Sequence, residues 1–304
     1  MKITRRDFAW SAGAVAVSPL LVSSSGAQET STATTGGRRL RYCIVGLGRI
    51  SMDHFMPACK MSRSSQVTAL VSGDRKKAEE QAAKYGVPAK SIYDYKSYDE
   101  IGNNPDIDAV YIALPNSMHA EYTIRAANAG KHVFCEKPMA TTPKDSQAMV
   151  NACRAAGKKL MIAYRCHYEP TNLRAVQLIR DGKLGKIQAI ESAFGFSEKM
   201  GEWRLNRKLA GGGPLMDVGI YSLNACRYLT GEEPSKIEGY SSTIDKDGRF
   251  AEVEENVSWT MRFPSGIVAS CNTTYGGQME GYYRVHGSTV ICTWNPRSAT
   301  KGFA

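Results

Sequence analysis

Through position 163 the apolar residues of this chain fall in short continuous runs, separated by longer stretches that repeat at helical spacing. The runs are Leu40 to Val45, Val67 to Val71, Ala109 to Leu114, Val133 to Cys135 and Leu160 to Ala163. Runs of this length read as strands buried on both faces. Between them, Ser51 to Met61 reads as a helix, another ends at Tyr85 before Gly86, and a third ends before Gly130. Thr142 and Pro143 open a fourth, which Gly157 ends; Met149, Ala152, Cys153 and Ala156 form its apolar stripe. Strand and helix in strict alternation predict an α/β doubly wound parallel sheet over 40–163.

After that point the pattern changes. Leu173, Val176 and Ile179 mark a short helix ending near Gly182, and beyond Lys186 the period drops toward two. Val257, Trp259, Met261 and Phe263 alternate with polar residues, Pro264-Ser265-Gly266 turns, and Ile267 begins a return strand. Val285 and Val290 flank a second turn at 286–289. Residues 164–304 are therefore expected to form an α+β domain with an open, mostly antiparallel sheet.

The turn after the first strand reads Gly46-Leu47-Gly48-Arg49-Ile50-Ser51. It carries two glycines of the Rossmann dinucleotide signature, with Ser51 in place of the third. Gly46 suits a tight turn, and Gly48 lets a pyrophosphate approach backbone at a helix N-terminus. The second strand ends in Ser72-Gly73-Asp74-Arg75-Lys76-Lys77. A hydroxyl and three cations there favour a 2′-phosphate, hence NADP, while Asp74 keeps NAD possible. Asn116 is placed to cap the next helix, and His119 lies in its first turn. Glu136 and Lys137 end a strand at the edge where open α/β sheets bind ligands.

The net charge of +10 over 304 residues includes no Lys/Arg-rich run, which argues against nucleic acid as a partner. Eight cysteines form no C-x-x-C pair and have no accompanying histidine cluster, so no metal site is expected. Arg5 and Arg6 precede a weakly apolar stretch, Ala9 to Val22, broken by Gly13, Ser18 and Pro19. That stretch is too short and too interrupted to span a bilayer. Residues 1–27 are expected to be a twin-arginine (Tat) signal peptide, cleaved after Ala27, making the Tat export machinery a partner and the location periplasmic. Residues 28–39 read as a flexible polar arm.

Gly46-Leu47-Gly48-Arg49, Ala113-Leu114-Pro115-Asn116-Ser117-Met118-His119 and Cys135-Glu136-Lys137-Pro138 together resemble the Gfo/Idh/MocA oxidoreductases. The stretches Ala163 to Pro170, Trp203 to Arg207 and Gly211 to Tyr221 extend the likeness toward the chain's end. The resemblance implies an enzyme that moves hydride between sugars and a nicotinamide cofactor. It points to a branch that is exported folded with NADP tightly bound. In that branch an aldose is oxidised to a lactone, and a second sugar takes the hydride back. Two other chemistries stay open: an ordinary NAD(P)-dependent aldose or polyol dehydrogenase, and an NAD-dependent, redox-assisted glycoside hydrolase.

Under this resemblance the cofactor is expected to lie against Gly46, Leu47, Gly48, Arg49, Ile50, Ser72, Arg75, Lys77, Tyr95, Leu114, Asn116, His119, Glu136, Lys137, Arg165, Trp203 and Arg204. The sugar is expected against Lys137, Arg165, His167, Asp217 and Tyr221. Asp217 and Tyr221, four apart, share a face if the helix begins at Asp217. Tyr221 is assigned as acid/base, with the Lys137 ammonium favouring its phenolate and Asp217 orienting the lysine or the sugar. Asp217 as a simple helix N-cap is the competing reading. The resemblance also implies homo-oligomers built on the second sheet and a chain that continues past Ala304.

Overall fold

The computed structural model describes residues 38–295. The expected signal peptide and most of the expected arm lie outside these residues. Six parallel strands form the first sheet: β1 (Leu40–Val45), β2 (Ser65–Val71), β3 (Ile92–Tyr93), β4 (Ala109–Ile112), β5 (His132–Cys135) and β6 (Leu160–Ile162). Their order is β3-β2-β1-β4-β5-β6, the doubly wound arrangement the apolar runs predict. The strand order reverses between β1 and β4, so the cofactor crevice of this topology opens at their carboxyl ends.

Alternate residues of β1 serve opposite layers. Cys43 and Val45 pack with Tyr122, Ala126, Met149 and Cys153, whereas Ile44 packs with Met56, Cys59, Ala78 and Ala82. The first layer is made by α3 (His119–Asn128) and α4 (Pro143–Ala155), the second by α1 (Met56–Met61) and α2 (Arg75–Tyr85). The helix limits follow local chemistry. Asp74 caps α2 by accepting from the Lys77 N–H at 3.0 Å. Gly86 closes α2 at φ +70°, a conformation only glycine adopts cheaply. Thr142 caps α4, accepting from the Asp145 N–H at 3.1 Å. Asn116 does not cap α3. It sits in a 3-10 turn, Asn116–Met118, and donates instead to the Ala210 carbonyl at 2.9 Å. Its side chain is thus spent on holding the second domain against the first.

The second sheet runs β12-β11-β7-β10-β9-β8. Its strands are β7 (Ile187–Gly195), β8 (Lys236–Ser242), β9 (Asn256–Arg262), β10 (Val268–Thr274), β11 (Met279–Gly287) and β12 (Ile291–Trp294). All pairs are antiparallel except β7 with β10. Val257, Trp259 and Met261 point to one face, as their alternation predicts, and meet Ala225, Cys226 and Leu229 of α7 (Ile220–Thr230). Each fully buried large apolar side chain contributes about 1.5–3 kcal/mol, so this face anchors α7 firmly. α5 (Pro170–Arg180) covers the same face, but Leu173 is exposed, and Asn172 and Ala175 form the buried stripe. Val176 and Ile179 pack against this core as their spacing predicts, and Asn172 ties the helix start to the Cys166 carbonyl and the Trp294 indole. A short helix, α6 (Arg207–Ala210), links the domains. Among the described residues no helix is long and apolar enough to cross a membrane, and no cluster is suited to a metal ion.

Candidate active site

Lys137 follows β5 directly, at the carboxyl edge of the first sheet. The Glu136 N–H continues the ladder by donating to the Ile112 carbonyl at 2.9 Å, and a cis peptide bond joins Lys137 to Pro138. His119 lies wholly buried beneath this turn. Its Nδ1 lies 2.7 Å from the Pro138 carbonyl and its Nε2 2.9 Å from the Leu114 carbonyl. Both ring nitrogens lie within hydrogen-bonding distance of main-chain carbonyls, and whichever carries the N–H donates, so His119 braces the two loops.

Asp217 arrives from the other domain. A π-helical turn, Leu215–Gly219, precedes α7, so the α-helix begins after Asp217 rather than at it. Asp217 makes no helix cap. Its carboxylate instead receives Lys137 Nζ at 2.7 Å, Arg204 Nε at 2.9 Å and the Tyr275 hydroxyl at 2.9 Å. Lys137 Nζ also donates to the Asp217 main-chain carbonyl at 2.8 Å. The two side chains are only 13% and 14% exposed. Burial alone would raise the Asp217 pKa, but the Lys137 and Arg204 charges override it and hold the carboxyl well below its usual range. Burial alone would lower the Lys137 pKa, and the Asp217 charge reverses that, holding the amine above its ordinary value. Lys137 is therefore an ammonium at neutral pH. It has three N–H donors, of which two are used, so one is free for a ligand.

The Lys137 ammonium lies over the Tyr221 ring, 5.1 Å from its centroid. The expected triad is thus brought together, with the lysine on the ring's face. Burial alone would lower the Arg165 pKa, and its interaction with the Tyr221 side chain is among the influences that raise it instead. Arg165 and His167 belong to a 3-10 turn, Arg165–Tyr168, at the rim, and the His167 ring packs 4.8 Å from that of Tyr228. The Arg204 guanidinium lies over the Trp203 ring at 4.9 Å. Glu136 accepts from the Tyr111 hydroxyl at 2.6 Å and from the Lys137 N–H at 3.2 Å. Burial pushes the Glu136 carboxyl up despite these donors.

The glycine loop fits a dinucleotide. Gly46 has φ +91°, and a Cβ there would meet the Ala113 carbonyl oxygen at 2.5 Å and the Leu114 side chain at 2.8 Å. At Gly48 a Cβ would meet nothing within 4 Å, so the backbone lies open. The N–H groups of Leu47, Gly48 and Arg49 donate to no group among the described residues. Open donors at the start of a helical stretch are what an anionic diphosphate requires. Arg49 and Ile50 sit exposed on this loop. The Leu47 side chain, by contrast, is buried among Ile44, Met56 and Leu70, leaving only its backbone to a cofactor. Leu114 is also buried, in the opposite layer.

At the end of β2, Ser72 Oγ accepts from the Asp74 N–H at 3.1 Å. Arg75 is engaged with Glu79 at 2.8 Å and with the Ile92 carbonyl at 3.2 Å, so it would have to give up these partners to bind a 2′-phosphate. Lys77 is exposed. Tyr95 stands beside Gly73, where a Cβ would meet its ring at 3.3 Å. Sequence reasoning missed Tyr275 and Glu198. Tyr275 is 58 positions from the carboxylate it binds, and no local spacing signals that contact.

Two family models cover most of the chain: an oxidoreductase family with an NAD-binding Rossmann fold over residues 40–164, and a GFO/IDH/MocA C-terminal domain over 172–291. The D-xylose 1-dehydrogenase [NADP(+)] of Haloarcula marismortui is 32% identical over 82% of this chain and 70% of its own length. A crystal structure of aldose-aldose oxidoreductase from Caulobacter crescentus, complexed with glycerol, superposes with a TM-score of 0.83 at 46% identity, covering 85% of this chain and 77% of that one. Levoglucosan dehydrogenase in complex with NADH and levoglucosan gives 0.76 at 26% identity, over 86% and 74%. With both of its domains matched in order, the chain belongs to the Gfo/Idh/MocA family of NAD(P)-dependent sugar oxidoreductases.

Proposed function

We propose that this protein is an NADP-dependent aldose oxidoreductase of the glucose–fructose oxidoreductase type, which returns hydride from its bound cofactor to a second sugar. The observation that carries the reading is the buried Lys137 ammonium held between the Asp217 carboxylate and the Tyr221 ring. The 46% identity to an aldose-aldose oxidoreductase supports two sugars as donor and acceptor. A nicotinamide cofactor held by the backbone of the 46–49 loop would supply the hydride acceptor and donor.

The chain's own residues supply the rest. Lys137 is locked as an ammonium by Asp217, so it cannot serve as the base at neutral pH. Its free N–H donates to the sugar hydroxyl and stabilises the alkoxide character that develops as hydride leaves. Tyr221 moves the proton, taking it as the first sugar is oxidised and returning it as the second is reduced. Asp217 fixes the lysine, and Arg204 shields the carboxylate's second oxygen. Trp203 offers an apolar wall to the ring system. Retention of the cofactor suits export in the folded state, because one nucleotide then serves every turnover. We read the twin-arginine segment in that sense, with periplasmic action and self-association through the second sheet.

The test is denaturing extraction of nucleotide from purified protein, with an aldose panel run on the same sample. The reading expects NADP released only on denaturation, its reduction by one aldose, and reoxidation by a second sugar. Exchange of cofactor on dialysis, with single-sugar turnover, would replace it with an ordinary dehydrogenase.

A further inference from the structure

Asp217 receives two donors besides Lys137, and they are unlike. The Arg204 guanidinium is shared: its Nε reaches Asp217 at 2.9 Å while its Nη1 lies 3.8 Å from a Glu198 oxygen that has no hydrogen-bond partner. Arg204 also stacks on Trp203 and is a quarter exposed. It can therefore be drawn toward a ligand or toward Glu198. Tyr275 has neither freedom. It is fully buried just past β10, and its N–H is tied to the Glu255 carbonyl at 2.9 Å. Its ring packs 5.1 Å from that of Phe196. Among the described residues its hydroxyl has one hydrogen-bond partner, Asp217 Oδ2. Burial first, then the neighbouring carboxylate, keeps this phenol protonated, so it acts only as a donor.

We infer that Tyr275 is the positioning residue of the active site: its hydroxyl fixes Asp217 Oδ2, so that Oδ1 stays aimed at Lys137 when Arg204 is drawn away by cofactor or sugar. The second sheet thereby sets the orientation of an ammonium on the first. The inference rests on the sugar oxidoreductase reading given above, and it assigns Tyr275 a role different from that of Tyr221. Tyr221 meets Lys137 through its ring face, whereas Tyr275 acts one residue removed, through a carboxylate.

The test is a double-mutant cycle of Tyr275→Phe and Asp217→Asn on the full chain. Nucleotide binding is followed by fluorescence, and sugar oxidation is resolved into kcat and KM. Tyr275→Phe keeps the ring and loses one hydrogen bond to a charged group. It should lower kcat about tenfold, with nucleotide affinity and sugar KM within about twofold. In the Asp217→Asn background the same change should have less than about a twofold effect, because its partner is already altered. A purely structural tyrosine would instead give the same loss in both backgrounds. Equal losses, or a Tyr275→Phe protein with wild-type kcat, overturn the inference and leave the sugar reading intact. A wild-type protein that binds nucleotide but oxidises no sugar overturns the reading itself, and the inference with it.

Discussion

The Lys137 ammonium and the Asp217 carboxylate, 80 positions apart in the chain, meet at 2.7 Å between the two domains. One comes from the carboxyl end of a parallel strand, the other from a π-helical turn ahead of a helix on the second sheet. The pair sets the charge of the site, because each partner holds the other ionised. Replacing Lys137 with Met removes the oriented donor while keeping length and bulk. We expect kcat/KM to fall by about 10²–10³-fold. Asp217 keeps Arg204 and Tyr275 as donors, so the fold should survive, with a loss of about 1–3 kcal/mol rather than the larger cost of a stranded buried charge. Steady-state kinetics and urea melts check both.

Tyr221→Phe is the companion change. The ring that carries the Lys137 ammonium remains, and only the hydroxyl goes. Turnover should drop at least about 10²-fold while nucleotide binding stays within about twofold, since general acid–base catalysis is worth that much. Unchanged turnover would move the proton transfer to another group.

The two glycines of the nucleotide loop should separate cleanly. Gly46→Ala drives a Cβ into the Ala113 carbonyl at a backbone angle that side chains resist, so the protein should lose about 1–3 kcal/mol. Gly48→Val places its side chain in open space. Melting of the free protein should hardly change, while NADP affinity falls more than about tenfold because the pyrophosphate's approach is blocked. Thermal melts with and without nucleotide distinguish the two.

One pH effect follows from the amino edge of the first sheet. Arg41 bonds Asp108 through its side chain at 3.0 and 2.9 Å and through its backbone N–H at 3.0 Å. The guanidinium bond outweighs burial and holds the Asp108 carboxyl at about 2. A depressed carboxylate stabilises the fold above its ordinary pKa, and that stability is lost as pH falls through the folded value. Asp108→Asn should therefore be less stable than wild type at neutral pH, by no more than about 1 kcal/mol after solvent screening. The two proteins should converge as pH drops from about 4 toward 2. Urea melts across that range check the sign.

The first sheet was readable because its strands are buried on both faces and appear as unbroken apolar runs. β9 was readable from strict alternation. β8 was not: every one of its residues is exposed, including Ile237 and Tyr240, so no pattern marks it. The helix expected from Asp217 onward begins late, because the π-helical turn presents the Asp217 side chain and carbonyl together to Lys137. Lys137, Asp217, Tyr221 and Arg204 were found through short motifs. Tyr275 stands outside any motif and enters the site only because β10 runs beside β7. Burial, which decides the fate of His119, Leu47 and Leu114, is likewise a property of packing that letters at a loop do not carry.

The most direct measurement follows the absorbance of the bound nicotinamide through one cycle in a single cuvette. Wild-type protein stripped of free nucleotide should show reduction on adding an aldose, then complete reoxidation on adding a second sugar, with Lys137→Met slowed by about 10²–10³-fold in both phases. A nicotinamide that leaves the protein between the phases, or a Lys137→Met protein that completes the cycle at the wild-type rate, would contradict the account.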